Sequence, residues 1–169
     1  MKKRYNKNTI RIGKLIHKVT VSNQFKMIAK EEELSAEILA DNSQYRQACY
    51  FLIQSMEKHI RAKIFTMVNP NLEYFRKRNL SHSLDSAVEF LIEIISNDKI
   101  VQEQISNQIR TYVLNGDSYK FLHNNLRYPV YFNKFNSYSV LEVKKKDYNI
   151  LKKSLDSLKV FLSDLDKFK

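Results

Sequence analysis

YRQACYFLIQSMEKHIRAKIFTMV, residues 45–68, is the stretch that decides the fold. The positions that we expect to face the core recur every three or four residues for more than five turns, which is the spacing of one face of an α-helix. These positions are Ala48, Phe51, Leu52, Ser55, Met56, His59, Ile60, Lys63, Ile64 and Met67. Asn69-Pro70 ends the pattern, because a proline disfavours helical backbone in the residue before it. The stretch therefore predicts a long amphipathic helix.

Four other stretches carry the same periodicity and predict helices at 24–40, 83–96, 99–114 and 145–167. The whole chain has only two Gly and two Pro, which favours long helices over a turn-rich β fold. Leucines spaced by three and four in the last stretch are typical of near-antiparallel bundle packing. We therefore predict an all-α fold, a single up-and-down helical bundle of about five helices spanning residues 24–169.

A basic N-terminal arm, residues 1–23, precedes the predicted bundle. It holds seven Lys or Arg and no acidic residue, and it thus supplies most of the formal net charge of +11. Such an arm can bind phosphates by releasing counterions, or it can serve only as a solvated, solubilising leader. Alternation at Ile10-Arg11-Ile12 and Val19-Thr20-Val21 predicts either a short hairpin or an arm that orders against the body.

The chain from Leu126 to Val143 has no helical periodicity and is rich in aromatic residues. We read it as one long connection before the last helix. Loops of that length are usually functional or form interfaces. Its aromatic run, Tyr128 to Tyr138, is our candidate for a homodimer contact; the alternative is that these rings pack over the protein's own core.

Several classes of protein are disfavoured by the residues present. The lone Cys49 rules out an internal disulfide framework and a cysteine-based zinc site, and its apolar neighbours predict a buried thiol. We find no Gly-rich phosphate loop and no metal-ligand spacing, and we expect no cofactor and no metal. No apolar run approaches the ~20 residues that a membrane span needs, and the N-terminus lacks a secretory signal. We expect a cytoplasmic protein that does not bind membranes.

A small group of basic and aromatic residues remains as the candidate for a functional site. His82 is placed at the start of the third predicted helix, where free backbone N–H groups and the helix dipole attract anions. Arg127 follows the polar residues His123-Asn124-Asn125, which we read as a turn, and Tyr128-Pro129 predicts extended chain after it. Lys58 and Arg61 share a polar stripe on the second helix. The five predicted nucleotide- or anion-binding residues are Lys58, Arg61, His82, Arg127 and Tyr128.

Two of these residues also have a structural alternative. His82 can be a capping residue that ties a helix start to its loop. Arg127 can form a buried ion pair that holds the long connection.

The order of these motifs resembles the HEPN family, small all-helical proteins associated with nucleotide and RNA chemistry. The resemblance covers roughly residues 25–168. It begins with the helix pair of 25–68. His82-Ser83-Leu84 is similar to a His-x-Leu element that opens the third HEPN helix. Arg127-Tyr128-Pro129 is similar to an Arg-Tyr-Pro element before the last HEPN helix. The resemblance implies a site for nucleotides or other polyanions, a homodimer, and association with a separately encoded nucleotidyltransferase.

One part of the HEPN pattern is missing. Ribonuclease-active members carry an Arg followed by four to six residues and a His near the final helix, whereas no His follows Arg127. Arg76 and His82 have the formal spacing but precede the third predicted helix. We therefore expect a non-catalytic nucleotide- or RNA-binding component of a toxin–antitoxin or defence-type system. The alternatives are a metal-independent endoribonuclease, with His82 and Arg127 as catalytic residues, and a helical protein-interaction adaptor.

Overall fold

The helix predicted at 45–68 is confirmed as α2, Tyr45–Met67, and it is the central element of the protein. The structure, a computed structural model, describes residues 12–116 and 118–168. Leu52, Met56, Ile60 and Ile64 of α2 are completely buried, as their spacing predicts. The helix extends from one end of the core to the other, because one residue of each successive turn enters it.

The described residues form seven α-helices and one small sheet. The remaining helices are α1 (Val21–Asp41), α3 (Glu73–Arg78), α4 (Leu84–Ile95), α5 (Lys99–Asn107), α6 (Lys120–Arg127) and α7 (Lys145–Asp164). A π-helix, Gln108–Val113, continues α5, and a 3-10 turn, Leu165–Phe168, continues α7. Strands β1 (Val130–Phe132) and β2 (Ser137–Ser139) pair antiparallel. The predicted all-α class and helical bundle are confirmed.

α1 and α2 form a tight helical hairpin. A short turn connects them, and its Ser43 takes a left-handed φ of 60°. Ala29 and Ala36 are fully buried, and the Ser55 hydroxyl donates a 2.8 Å hydrogen bond to the Ala29 carbonyl. These small residues let the two backbones approach closely. Lys152 of α7 then ties α1 to the rest of the bundle.

The core is completed by helices that pack on the other sides of α2. α4 contributes the buried side chains of Phe90 and Leu91, and α7 contributes Leu155 and Leu158. Burying a side chain of this size is worth about 1.5–3 kcal/mol relative to leaving it exposed. The single bundle around α2 is thus held together mainly by apolar packing.

Two short helices were not predicted. α3 occupies the connection after Pro70, and α6 occupies residues that we read partly as a turn and partly as the start of the long connection. The rest of that connection is also not structureless, since it contains the β1–β2 hairpin. Six and eight residues are too few for periodicity to be read with assurance, because a helical pattern needs a window of 11 or more residues.

The predicted helix at 99–114 changes geometry halfway. The Leu114 N–H donates to the Ile109 carbonyl at 2.8 Å, five residues back, as in a π-helix. This wider winding buries Ile109 and Val113 but turns Tyr112 outward.

The N-terminal segment is described only from residue 12. Residues 12–20 form no strand, and Val21 begins α1. The hairpin alternative therefore fails for its second half, while Ile10 and Arg11 lie outside the described residues. Among the described helices none is both long and apolar enough to cross a membrane.

Candidate nucleic-acid interface

One polar face of α2 organises the candidate site. Tyr50, Gln54 and Lys58 follow each other at intervals of four, so they line up along the same side of the helix. α6 packs against this face. Arg127, the last residue of α6, and His123, one turn before it, are thereby brought beside α2.

Arg127 is exposed and lies against two aromatic rings. Its guanidinium carbon is 5.8 Å from the centroid of the Tyr50 ring and 4.8 Å from that of Tyr128. Cations at such distances are attracted to the ring quadrupole. Within the described part of the chain, the Arg127 guanidinium makes neither an ion pair nor a hydrogen bond. The buried ion pair that we left open for Arg127 is therefore not formed.

His123 belongs to the same cluster. Its Nε2 is 3.0 Å from Gln54 Nε2, and its ring centroid is 5.6 Å from that of Tyr50. Lys58 donates a 3.0 Å hydrogen bond to Gln54 Oε1, which fixes the orientation of the amide. The amide nitrogen can only donate, so His123 Nε2 must accept.

Arg46 places a second guanidinium one turn before Tyr50. Its Nη2 donates to the Asn125 carbonyl at 3.4 Å, while its Nε is buried and has no hydrogen-bond partner among the described residues. A buried donor without a partner is unusual in folded proteins. We call the whole cluster the Arg127 platform; its members are Arg46, Tyr50, Gln54, His123, Arg127 and Tyr128.

The β1–β2 hairpin continues the aromatic surface from Tyr128. Tyr131 and Tyr138 face each other across the two strands, with ring centroids 5.3 Å apart. Phe135 and Tyr138 are 63% and 72% exposed, and Lys134 Nζ lies 5.5 Å from the Phe135 ring centroid. Residues 118–141 contain three Lys or Arg and no Asp or Glu. The hairpin is thus an exposed, cationic and aromatic surface.

His82 and Arg61 lie further along α2. His82 is 75% exposed, and its Nδ1 is 4.0 Å from Glu57 Oε1. Ser83 caps α4, because its hydroxyl accepts the Ser86 N–H at 3.1 Å, so the capping role left open for His82 belongs to its neighbour. Glu57 and Tyr50 are seven residues apart, or about 10 Å along the helix. The structure therefore places His82 and Arg127 against different parts of α2.

Arg61 has a structural environment. It is 1% exposed, and its Nε is 2.8 Å from Glu57 Oε1. The same guanidinium donates to Asn79 Oδ1 at 2.9 Å and to the Ser81 carbonyl. An anion could reach Arg61 only by displacing these partners. Lys58 is also engaged, since its Nζ lies 3.0 Å from Glu32.

The described residues also show what can be said of a metal site and of a thiol nucleophile. No group of three or more His, Cys, Asp or Glu is placed there to hold a metal ion. Cys49 is buried, as expected. Burial, assisted by the nearby Asp147 carboxylate, raises the pKa of its thiol to about 12. The thiol is therefore protonated at neutral pH and is a poor nucleophile.

Comparison with protein families, with curated proteins and with solved structures gives no match for this chain. The candidate site is therefore read from its own geometry. Sequence reasoning identified Arg127 and Tyr128 but missed Arg46, Tyr50, Gln54 and His123. His123 and Arg127 were four residues apart, which would have placed them on one face had the segment been read as helix.

Proposed function

We propose that this protein is a HEPN-like, non-catalytic binding protein for single-stranded RNA or nucleotides, and that the Arg127 platform is its binding site. The observation that carries the proposal is the exposed Arg127 guanidinium, which lies against two aromatic rings and has no carboxylate partner among the described residues. A planar guanidinium can bind a phosphate with two parallel hydrogen bonds. An arginine left free in this way suits an anionic ligand.

Aromatic rings next to the cation favour a nucleic acid over a simple anion. Bases stack on exposed Tyr and Phe with little sequence preference, at about 1–3 kcal/mol per base, while basic groups follow the backbone. Tyr128 and the hairpin rings supply exposed faces, and Arg46, Arg127 and Lys134 supply charge. Stacking of this kind needs a single strand, because the faces of paired bases in a duplex are already covered by their neighbours.

The biological setting in this proposal comes from the HEPN resemblance. There the protein acts as a homodimer in a toxin–antitoxin or defence-type system and pairs with a separately encoded nucleotidyltransferase. The basic arm, residues 1–23, adds affinity that is independent of sequence. Its contribution should depend on salt, because each neutralised phosphate releases counterions.

The proposal is tested by titrating labelled single-stranded RNA and following its fluorescence anisotropy. We expect Arg127→Ala to lose about 1–3 kcal/mol of binding free energy, the usual loss for a hydrogen bond to a charged group. Arg76→Ala is the matched control, because Arg76 is an exposed arginine on α3, away from the platform. Equal binding by the Arg127 and Arg76 variants would remove the platform from the binding site.

Removal of residues 1–20 separates the arm from the platform. The truncated protein should show a shallower dependence of affinity on salt than the full chain, because fewer counterions are released. Arg127→Ala should instead weaken binding at every salt concentration. A salt slope that is unchanged by the truncation would contradict the role given to the arm.

A metal-independent endoribonuclease is the second candidate, and the spacing of His123 and Arg127 on α6 favours it. A histidine one turn from an arginine can supply a general acid or base and a group that stabilises phosphate charge. RNA cleavage in the presence of a metal chelator, abolished by His123→Ala or His82→Ala, would establish turnover and identify the histidine. Intact RNA in the same assay would support binding without turnover.

A further inference from the structure

A second charged region lies on roughly the opposite side of α2 from the Arg127 platform. α1, α2 and α7, with the 3-10 turn after α7, enclose a cleft of about 500 Å³. Its charged and titratable lining consists of Lys26, Lys30, His59, Lys63, Lys159 and Asp166. We call it the lysine cleft. Its volume is within the ~300–1,000 Å³ typical of small-molecule sites.

Four ammonium groups meet one lining carboxylate in this cleft. Lys63 is only 7% exposed, and its Nζ lies 2.6 Å from Asp166 Oδ1. Lys159 Nζ is shared with Glu33 at 2.7 Å. Among the described residues, Lys26 and Lys30 have no ion-pair partner. The lining therefore carries positive charge that the protein itself does not neutralise.

Periodicity explains why the lysines converge. Ser22, Lys26 and Lys30 follow each other at intervals of four on α1, so their side chains form one stripe. His59, Lys63 and Thr66 form the facing stripe on α2. Because α1 and α2 pack as a hairpin, the two stripes border the same cleft. Like charges brought together in this way repel each other unless an anion lies between them.

The N-terminus of α1 adds donors to the same place. Ser22 and Asn23, in the first turn of this 21-residue helix, line the cleft. The preceding Thr20 makes no side-chain capping hydrogen bond, and the first turn contains no acidic residue. Among the described residues no side chain caps the N–H groups of this first turn, which together with the helix dipole can attract an anion.

His59, a member of the α2 stripe, is largely buried in the wall of the cleft. Its Nε2 is buried without a hydrogen bond among the described residues and lies 3.8 Å from Glu33 Oε2. Burial lowers the pKa of this imidazole, even though the Glu33 carboxylate opposes the shift. The ring is thus held inside the cleft and can report on a charge that enters it.

We infer that the lysine cleft is a binding site for a polyphosphate group, either free or carried by a nucleotide. Compact ammonium groups and backbone N–H groups are both suited to phosphate oxygens. Among the described residues the cleft is lined by no Phe, Tyr or Trp, and its one imidazole, that of His59, is largely buried, so it offers little stacking surface for a base. Recognition therefore rests on the phosphates and not on the nucleobase.

The test uses the full chain and isothermal titration with sodium tripolyphosphate at constant ionic strength. The variant is Lys26→Ala/Lys30→Ala, which removes two partly or fully exposed lysines of α1 and leaves the core intact. We expect binding about 10- to 100-fold weaker, the range for losing a charged hydrogen bond. The control, Lys145→Ala/Lys146→Ala, removes two exposed lysines at the other end of α7 and should bind within about twofold of wild type, a difference of ~0.4 kcal/mol.

Three further measurements show where the phosphate binds and whether it is free or carried by a nucleotide. The His59 imidazole resonances should move with tripolyphosphate in wild type and not in Lys26→Ala/Lys30→Ala. ATP should bind about as tightly as tripolyphosphate, because recognition rests on the phosphates; clearly tighter ATP binding would show contacts to the nucleoside and contradict this. Adenosine competing for the site, equal affinities of the two double variants, or binding no tighter than that of sulfate would each overturn the inference.

Discussion

Arg61 gives the sharpest test of how the bundle is held together. Arg61→Ala removes the partner of the buried Glu57 carboxylate and the donor to Asn79 and Ser81, which attaches the 79–82 loop to α2. Removing one member of a buried ion pair costs about 3–5 kcal/mol, because the other charge stays buried without compensation. At about 2–4 °C per kcal/mol for a chain of this size, the melting temperature should fall by roughly 6–20 °C.

The assay is urea unfolding followed by circular dichroism at 222 nm, with Arg76→Ala as the exposed-arginine control. The control should change the free energy of unfolding by less than about 0.5 kcal/mol. Glu57→Leu/Arg61→Met should recover most of the loss, because it leaves no unpaired buried charge. A loss below about 1 kcal/mol for Arg61→Ala, or a double variant as unstable as the single one, would refute this reasoning.

The same variant also distinguishes a structural role from a binding role. Arg61 faces the interior, so folded Arg61→Ala protein should bind RNA within about twofold of wild type, a difference of ~0.4 kcal/mol. A loss as large as that of Arg127→Ala, at a temperature where both proteins are folded, would return Arg61 to the anion-binding set predicted from the sequence.

Three other predictions concern acid stability, thiol reactivity and assembly. Burial by itself raises the pKa of Glu33, but hydrogen bonds from Lys152 and Lys159 outweigh it and hold the pKa below 4.5. The resulting stabilisation is present above about pH 4.5 and is lost as the pH falls through the lower folded pKa. The urea midpoint should therefore fall less steeply between pH 5 and pH 3 in Lys152→Met than in wild type. The same fall in both proteins would contradict this. Native Cys49 should resist iodoacetamide at pH 8 and react only after unfolding, as followed by intact mass; rapid native alkylation would show an accessible thiol. We expect light scattering to give a dimer at micromolar concentration and Tyr138→Ser to shift it toward monomer; a wild-type monomer mass would count against the hairpin as a dimer contact.

The long helices could be predicted because in each of them a core-facing residue recurs every three or four positions over several turns. α2 repeats it over more than five turns, and Pro70 marks its end. α6 has only two turns, and its Asn124 and Asn125 are weak helix formers. We therefore read its middle as a turn, although Pro129 correctly indicated extended chain after Arg127. The local pattern thus suffices for long helices and fails for helices of about two turns.

The site depended on contacts that no local pattern contains. Arg127 and Tyr50 are 77 positions apart in the chain, and only the packing of α6 on α2 brings them together. The basic and aromatic character of residues 127–138 was visible in the sequence. The roles of Gln54 and His123 were not, because each depends on which face of its helix meets the other. Lys58 and Arg61 were predicted to share one polar stripe of the second helix. In the structure they do not share one surface, because the Arg61 side chain is buried in the interior.

The π-helix at Gln108–Val113 has a consequence for how the chain length can vary. Val101, Ile105, Ile109 and Val113 recur strictly every four residues, a repeat that would drift around an ordinary α-helix by about 40° per step. The wider turns reverse this drift over the last interval and keep Val113 in the core. Loss of one residue here can be absorbed by a return to α-helical winding, whereas in α2 it would rotate every later side chain by about 100°. Single-residue deletions scanned along both helices, with soluble yield as the readout, should therefore be tolerated at 108–113 and lethal to folding at 50–60.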